Sequence, residues 1–104
     1  MKYIVVYVTV SSRAEGEKIA KALLKEKLAA CVNIVDNVQS FFWWKGAVDS
    51  GRESLLIIKT KKARFKALVK EVKAQHSYDV PEIIALPVVD GSGDYLKWIE
   101  GSLK

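Results

Sequence analysis

From Tyr3 to Val10 nearly every position is apolar, most are β-branched or aromatic, and Ser11-Ser12 closes the run. A short run of this kind predicts a strand buried on both faces at its centre. The period then changes. Ile19, Ala20, Leu23 and Leu24 recur at helical spacing, and Lys18, Lys21, Lys25 and Lys27 lie mainly off that stripe. Ser12-Arg13-Ala14-Glu15 has the spacing of a capping box, in which the serine oxygen and the glutamate satisfy exposed amides reciprocally. The helix is therefore expected to start there, with Gly16 in its first turn.

Ala30 to Trp44 runs fifteen residues without proline or glycine. Extended, it would span about 50 Å at ~3.3 Å per residue, far beyond the usual strand of ~5–6 residues. Val32, Ile34, Val38, Phe42 and Trp44 at even positions are apolar, whereas Asn33, Asn37 and Gln39 at odd positions are polar. One buried face explains that period of two. Asp36-Asn37 interrupts it and predicts a bulge or bend. The run ends in Phe41, Phe42, Trp43 and Trp44. Lys45–Arg52, with Gly46, Asp49, Ser50 and Gly51, reads as a turn region, and Glu53–Thr60 as the returning strand. The far half of so long a hairpin has no room inside its own subunit. Aromatics on both faces of its tip predict a partner, and so an oligomer.

Lys61–Gln75 is the second predicted helix, with Phe65, Leu68, Val69 and Val72 on one side and lysines on the other. His76–Pro81 ends it, because Pro81 disfavours helix at Val80. Glu82–Val89 is a fourth strand, and Pro87 within it indicates an edge position or a bulge. Asp90–Asp94 is a loop. Tyr95–Leu103 is a short helix with Leu96 and Ile99 inward. The order β-α-β-β-α-β plus a final helix predicts an α+β, ferredoxin-like sandwich, one antiparallel sheet with two helices on one face. Residues 1–104 form a single domain in this reading. The plan serves many functions and names none.

Composition narrows the class. At 104 residues, about 65% of the unfolded surface is buried on folding. The N-terminal MKYIVVYVTVSS has the lysine and apolar run of a signal peptide. It is short, alternates in character and lacks a small-residue cleavage site, so it is read as the first strand. No run of ~18 apolar residues suggests a membrane span. Cys31 is the only cysteine, which excludes an intramolecular disulfide and leaves the cytoplasm as the expected location. Fourteen of the seventeen Lys/Arg are lysine and Asn plus Gln number four, a bias seen in thermophile proteins. The net charge of +5 is spread along the chain, and a solvated surface is the expected reading.

Five motifs then fall in one order: Lys27-Leu-Ala-Ala-Cys-Val-Asn33, Ser40-x-Phe42-x-Trp44-x-Gly46, Glu53-x-Leu-x-Ile-Ile-Lys-Thr60, His76-Ser-Tyr-Asp-Val-Pro-Glu-Ile-Ile84 and Tyr95-Leu-Lys-Trp-Ile99. Together they resemble the CutA divalent-cation tolerance family over essentially the whole chain. The resemblance implies a ferredoxin-like subunit in a tight homotrimer. It also implies an architecture similar to the PII signalling trimers, without their nucleotide-sensing loop, and a link to tolerance of copper and other divalent metals, which some members bind. Two departures stand out. The family usually has His-Pro-Tyr where this chain has His76-Ser77-Tyr78, and Tyr where it has Phe42. Some bacterial members add a cysteine in the first strand and a second histidine beside the first. Val8 and Gln75 stand there, so only His76 of such a metal site is kept.

Read as residues, the candidate metal ligands are His76, Cys31 and Glu82. His76 offers imidazole nitrogen for copper or zinc, or simply closes its helix against the last carbonyls. Cys31 is a soft ligand when deprotonated, or a small core residue. Glu82, like Glu53, is an oxygen ligand, a partner for a lysine such as Lys59, or a solvated charge. His76, Tyr78 and Glu82, with Cys31 and Lys59 nearby, make the candidate cleft. No CxxC or HxxxH spacing encodes a preformed metal cage. Trp43, Trp44 and Trp98 are a ligand platform or, more simply, interface anchors.

The function expected is therefore a non-enzymatic homotrimeric binding or signalling module for divalent-metal tolerance. It would bind Cu(II) or another divalent metal ion and no organic cofactor. The alternative is an enzyme of unknown reaction in the inter-subunit clefts, although no nucleophile–base pair, phosphate loop or closely spaced carboxylates support it. RNA binding ranks third. The strand ESLLIIKT lacks the aromatics that RNA-recognition sheets carry, so no nucleic-acid partner is expected.

Overall fold

The computed structural model describes residues 2–104. β1 spans Tyr3–Val10, α1 Arg13–Lys25, β2 Cys31–Trp44 and β3 Ala47–Lys61. A 3-10 turn, Lys62–Arg64, runs into α2 at Phe65–Gln75, and β4 (Ile83–Pro87) and α3 (Gly93–Ser102) follow. The strands form one antiparallel sheet in the order β2-β3-β1-β4. β3 and β1 are central. Pro87 is the last residue of an edge strand, opposite Ile4, where a missing N–H leaves no ladder bond unmade, as expected of it.

The sheet has two unlike faces. Along β1, Ile4, Val6, Val8 and Val10 are buried, while Tyr3, Val5, Tyr7 and Thr9 are only partly covered. The expectation that β1 is buried on both faces therefore fails. α1 and α2 both lie on one side, where Ile19, Leu23, Leu68 and Val72 meet Val6, Val8, Leu56 and Ile58 in the core. Thr60 enters this core because its hydroxyl donates to the Leu28 carbonyl at 2.7 Å, and a buried hydroxyl with a partner costs little. The opposite face is covered only at the Tyr3 end. There Ile99 of α3 and Leu103 just after it pack with Ala30, Tyr3 and Leu96, and Lys61 and Lys2 both pair with Glu100. Beyond α3 that face stays apolar and open. Val35, Ile84 and Leu86 are 43%, 52% and 40% exposed.

α1 begins where the sequence places it. Ser12 Oγ accepts from the Glu15 amide at 3.1 Å. The return half of the box is displaced, because the Glu15 carboxylate takes the Ser11 amide and hydroxyl instead. Gly16 is buried against the sheet, and a Cβ there would lie 3.1 Å from Leu56 Cδ2 and 3.3 Å from Val10 Cγ2. The glycine thus serves the close approach of α1 to β3 and β1. Leu24, expected on the buried stripe, is largely exposed.

The hairpin is longer than the turn signals suggest. β2 and β3 stay paired out to Trp44↔Ala47, so Asp49, Ser50 and Gly51 lie inside the ladder and not in a turn. The loop is Lys45-Gly46 alone, with φ of 51° and 80°. Two consecutive positive φ values are what a two-residue hairpin turn needs to match the strand twist. Once that turn closes, the ladder continues through residues that elsewhere break strands. Asp36 and Asn37 together face Ser54, since Val35 pairs with Leu55 and Val38 with Glu53. Asn37 has φ 62°. This is the bulge the sequence predicts. The tip projects free of the core: Phe41 and Trp43 are 73% and 75% exposed, and the subunit measures 44 × 26 × 23 Å.

Gly46→Ala is expected to lower stability by about 1 kcal/mol, because an L side chain at that φ is strained. Lys45→Asn is expected to raise it by a few tenths, asparagine tolerating positive φ better. Thermal melts of the two variants at one concentration check both signs.

Candidate functional site around His76

α2 stops at Gln75 because His76 turns extended, with φ −84° and ψ 142°. Its amide still closes the last turn on the Val72 carbonyl at 2.9 Å. The ring folds back onto the end of β1, with Nε2 2.8 Å from the Thr9 carbonyl and Nδ1 3.0 Å from the Tyr78 amide. A carbonyl only accepts and an amide N–H only donates, so Nε2 donates to Thr9 and Nδ1 accepts from Tyr78. The imidazole therefore clasps β1 and does not cap the last carbonyls of its own helix.

Two neighbours complete the clasp. The Glu15 carboxylate accepts from the Ser77 amide at 2.7 Å and from the Ser11 amide and hydroxyl at 3.1 and 3.0 Å. Desolvation by itself pushes this carboxyl up, but the hydrogen bonds from Ser77 and Ser11 outweigh it and bring it from 4.5 to about 2. Tyr78 donates its phenol to Glu53 Oε2 at 2.8 Å. Desolvation, then the Glu53 carboxylate, push that phenol up to about 12. Residues 76–78 are thereby tied to β1, α1 and β3. The sequence reading gave Glu15 a role in capping only. Its bond to Ser77 crosses 62 positions, and no local spacing signals it.

This clasp carries a pH dependence. A carboxyl whose folded pKa is depressed contributes stability that is complete above its unfolded value and fades as pH falls through the folded one. The Glu15 contribution is therefore full above pH 4.5 and lost toward pH 2. Glu15→Gln is expected to cost about 1–2 kcal/mol at pH 7, the scale of charge-assisted hydrogen bonds at a partly exposed site. The difference from the parent should shrink at pH 3 in urea titrations. Glu100, held down to about 2 by Lys2 and Lys61, acts equally in both proteins, so the difference isolates Glu15.

Beside the clasp, a polar groove of about 390 Å³ runs between the start of α1 and the bulge, lined by Ser12, Arg13, Asp36, Asn37, Arg52 and Glu53 among others. Asp36 accepts from Arg13 at 2.8 Å and from the Ser54 hydroxyl at 3.0 Å. Arg13 also reaches Glu17 at 3.0 Å. Glu53 belongs to both the groove and the Tyr78 bond. The groove's charges largely satisfy one another, and both His76 nitrogens face backbone groups. The arrangement ties together β1, α1, β3 and residues 76–78.

The other candidate residues lie elsewhere. Cys31 opens β2 opposite Lys59, on the face α3 partly covers. Lys59 Nζ is 3.7 Å from the thiol and also donates to Asn33. Lys59 therefore sits with Cys31 and Asn33, and the expectation that it pairs with Glu53 or Glu82 in the His76 cleft is not met. On β3, the partner of Cys31 is four positions from Leu55, the partner of Thr9, which is about 13 Å along a strand. Glu82 is exposed just ahead of β4. His76, Cys31 and Glu82 do not converge within the subunit, and among the described residues no three His, Cys, Asp or Glu side chains are grouped to hold a metal ion. Trp98 stacks on Tyr95 with ring centroids 5.5 Å apart. Trp43 and Trp44 stand at the hairpin tip. Among the described residues no helix is long and apolar enough to cross a membrane.

Known proteins are similar in sequence and in backbone fold. The chain is 44% identical to the divalent-cation tolerance protein CutA of Archaeoglobus fulgidus, covering 95% of this chain and 96% of that one. It is 48% identical to the Thermus thermophilus protein of the same name, covering 91% and 92%. A chloroplastic CutA protein of rice is 50% identical over 97% of this chain, which spans 57% of the rice protein's length. This chain likewise spans 56% of the corresponding Arabidopsis thaliana protein. The solved structure of the Archaeoglobus protein, described as periplasmic, superposes with a TM-score of 0.95 at 43% identity, covering 98% of this chain and 99% of that one. Rice CutA1 superposes with a TM-score of 0.95 at 50% identity, covering 98% and 94%. The family profile described as CutA1 divalent ion tolerance protein matches residues 4–102. With the long hairpin, the clasp and the α3 cover all inside that match, the chain belongs to the CutA1 divalent ion tolerance family.

Proposed function

We propose that the protein is a non-enzymatic, homotrimeric module of divalent-cation tolerance. In this reading a ferredoxin-like subunit assembles in the cytoplasm, binds Cu(II) or another divalent cation in clefts between copies, needs no organic cofactor, and passes the signal on in the manner of PII trimers. The observation that carries the assembly is the bare sheet face together with the projecting aromatic hairpin. A monomer that left both in water would expose far more contiguous apolar surface than soluble proteins tolerate. Family membership supports the cation. Its site is placed between copies because one subunit offers no group of ligands. The donor atoms assigned are the Cys31 thiolate, the Glu82 carboxylate and His76 Nδ1. His76 keeps its Nε2 proton on the Thr9 carbonyl, an arrangement that orients ligating imidazoles, and must release the Tyr78 amide to bind.

Calorimetry of Cu(II) and Zn(II) on metal-stripped protein, with its mass fixed by light scattering, tests this reading. Micromolar or tighter binding that weakens at least ~10-fold in His76→Ala is expected, a loss of about 1.4 kcal/mol or more. Unchanged affinity removes His76 from the set. A stable trimer with no measurable binding of either ion overturns direct metal recognition.

A further inference from the structure

The lysines that look dispersed along the chain are not dispersed in space. Lys2, Lys61, Lys62 and Lys66 line one open depression of about 480 Å³, and among the described residues the other lining residue is Ala63. The start of β1, the end of β3 and the 3-10 turn that leads into α2 meet there, and the Lys62 amide donates to the Lys2 carbonyl at 2.9 Å. The carboxylate that pairs with these lysines among the described residues is Glu100, with Lys2 at 2.7 Å and with Lys61. Lys62 and Lys66 pair with no carboxylate among the described residues.

Four lysine side chains and one shared carboxylate give this surface a formal excess of about three positive charges. That is a local conflict. Like charges four apart on a helical segment cost a few tenths of a kcal/mol, and Lys61 and Lys62 add to it. Conflicts of this kind concentrate where a site is built for a ligand. Glu100 meanwhile fixes two of the four ammoniums in place, which lowers the cost of ordering them around an anion.

We propose that this depression is a binding site for a small soluble polyanion bearing a chain of phosphate groups. Lysine ammoniums bind phosphate oxygens as point charges, and a ligand with three or more negative charges matches the excess. A monoanion would neutralise only part of it. The site is separate from the His76 clasp, and the proposal stands whether or not the protein binds a divalent cation.

The test uses metal-stripped protein and inorganic tripolyphosphate, titrated by calorimetry at low ionic strength and again near 0.15 M salt. Saturable binding of one tripolyphosphate per chain is expected. It should weaken at least ~10-fold in Lys62→Gln/Lys66→Gln and fall with salt. Lys21→Gln/Lys25→Gln on α1 removes the same charge at the same spacing and should leave the affinity within about twofold, less than 0.5 kcal/mol. All four positions lie at the surface of helical segments, and circular dichroism confirms that both variants fold. An equal loss in the two variants, or uptake that does not saturate, would mean attraction by net charge alone and overturns the site. So does the absence of binding at millimolar tripolyphosphate and low salt.

Discussion

Phe41→Thr/Trp43→Thr is expected to reduce the proposed trimer to monomers at micromolar concentration. The two rings are 73% and 75% exposed within the subunit, so the isolated fold loses almost no packing with them. Threonine keeps the strand propensity of the positions. In an assembly the same rings are the natural anchors, since interface cores are enriched in Trp and Phe and a few such residues carry most of the binding energy. At 2 kcal/mol or more apiece, losing both weakens association by about a thousandfold. Sedimentation equilibrium over a range of concentrations reads this directly. A variant with the parent's mass and the parent's stability would show that the hairpin tip is not an interface.

Leu56→Ala is expected to cost about 3–5 kcal/mol, the upper range for a leucine in a core with little freedom to collapse. Leu56 is fully buried on β3, between Val8 of β1 and Ile34 of β2 in register. Its Cδ2 lies against the backbone of Gly16 on α1. The void left by Leu56→Ala therefore opens onto the one position of α1 that lacks a side chain. Gly16→Ala in the Leu56→Ala background should recover about 1 kcal/mol, combining helix propensity with partial refilling of the void. In the parent background the same Cβ meets Leu56 at 3.1 Å, so crowding opposes the propensity gain and the recovery should be smaller or absent. Guanidinium titrations should be run in the Phe41→Thr/Trp43→Thr monomer, so that assembly does not add a concentration-dependent term. Equal effects of Gly16→Ala in both backgrounds would refute the contact.

Both predictions depend on how local pattern and long-range packing divide the information. The helical stripes on α1 and α2, the strand β1, the bulge at Asp36-Asn37 and the edge position of Pro87 were legible because each rests on period, capping or backbone chemistry within a few residues. The hairpin length was misread at Asp49, Ser50 and Gly51. Those residues signal a turn locally, but the two-residue turn at Lys45-Gly46 and the cross-strand partners Phe42, Phe41 and Ser40 hold them in the ladder. β1 was misread on one face because an apolar run does not reveal whether a helix or only a partner covers it.

The candidate site divides the same way. His76, Cys31, Glu82 and Tyr78 were singled out by residue type and family motif. Lys59 was placed near the His76 cleft, but the β2–β3 register seats it opposite Cys31 instead. Glu15 was read for its cap alone, and the Lys2, Lys61, Lys62 and Lys66 depression was read as solvated surface. Their partners are brought together by the sheet register and by α3, not by spacing. By itself the sequence determined the elements, their order, the long aromatic hairpin and the family, because each follows from short-range chemistry or motif order. Only the tertiary structure decided which face of the sheet stays bare, that both His76 nitrogens meet backbone, that His76, Cys31 and Glu82 stay apart, and that four dispersed lysines share one wall. Those are distances between residues far apart in the chain, and the packing of α1, α2 and α3 on one register of strands sets them.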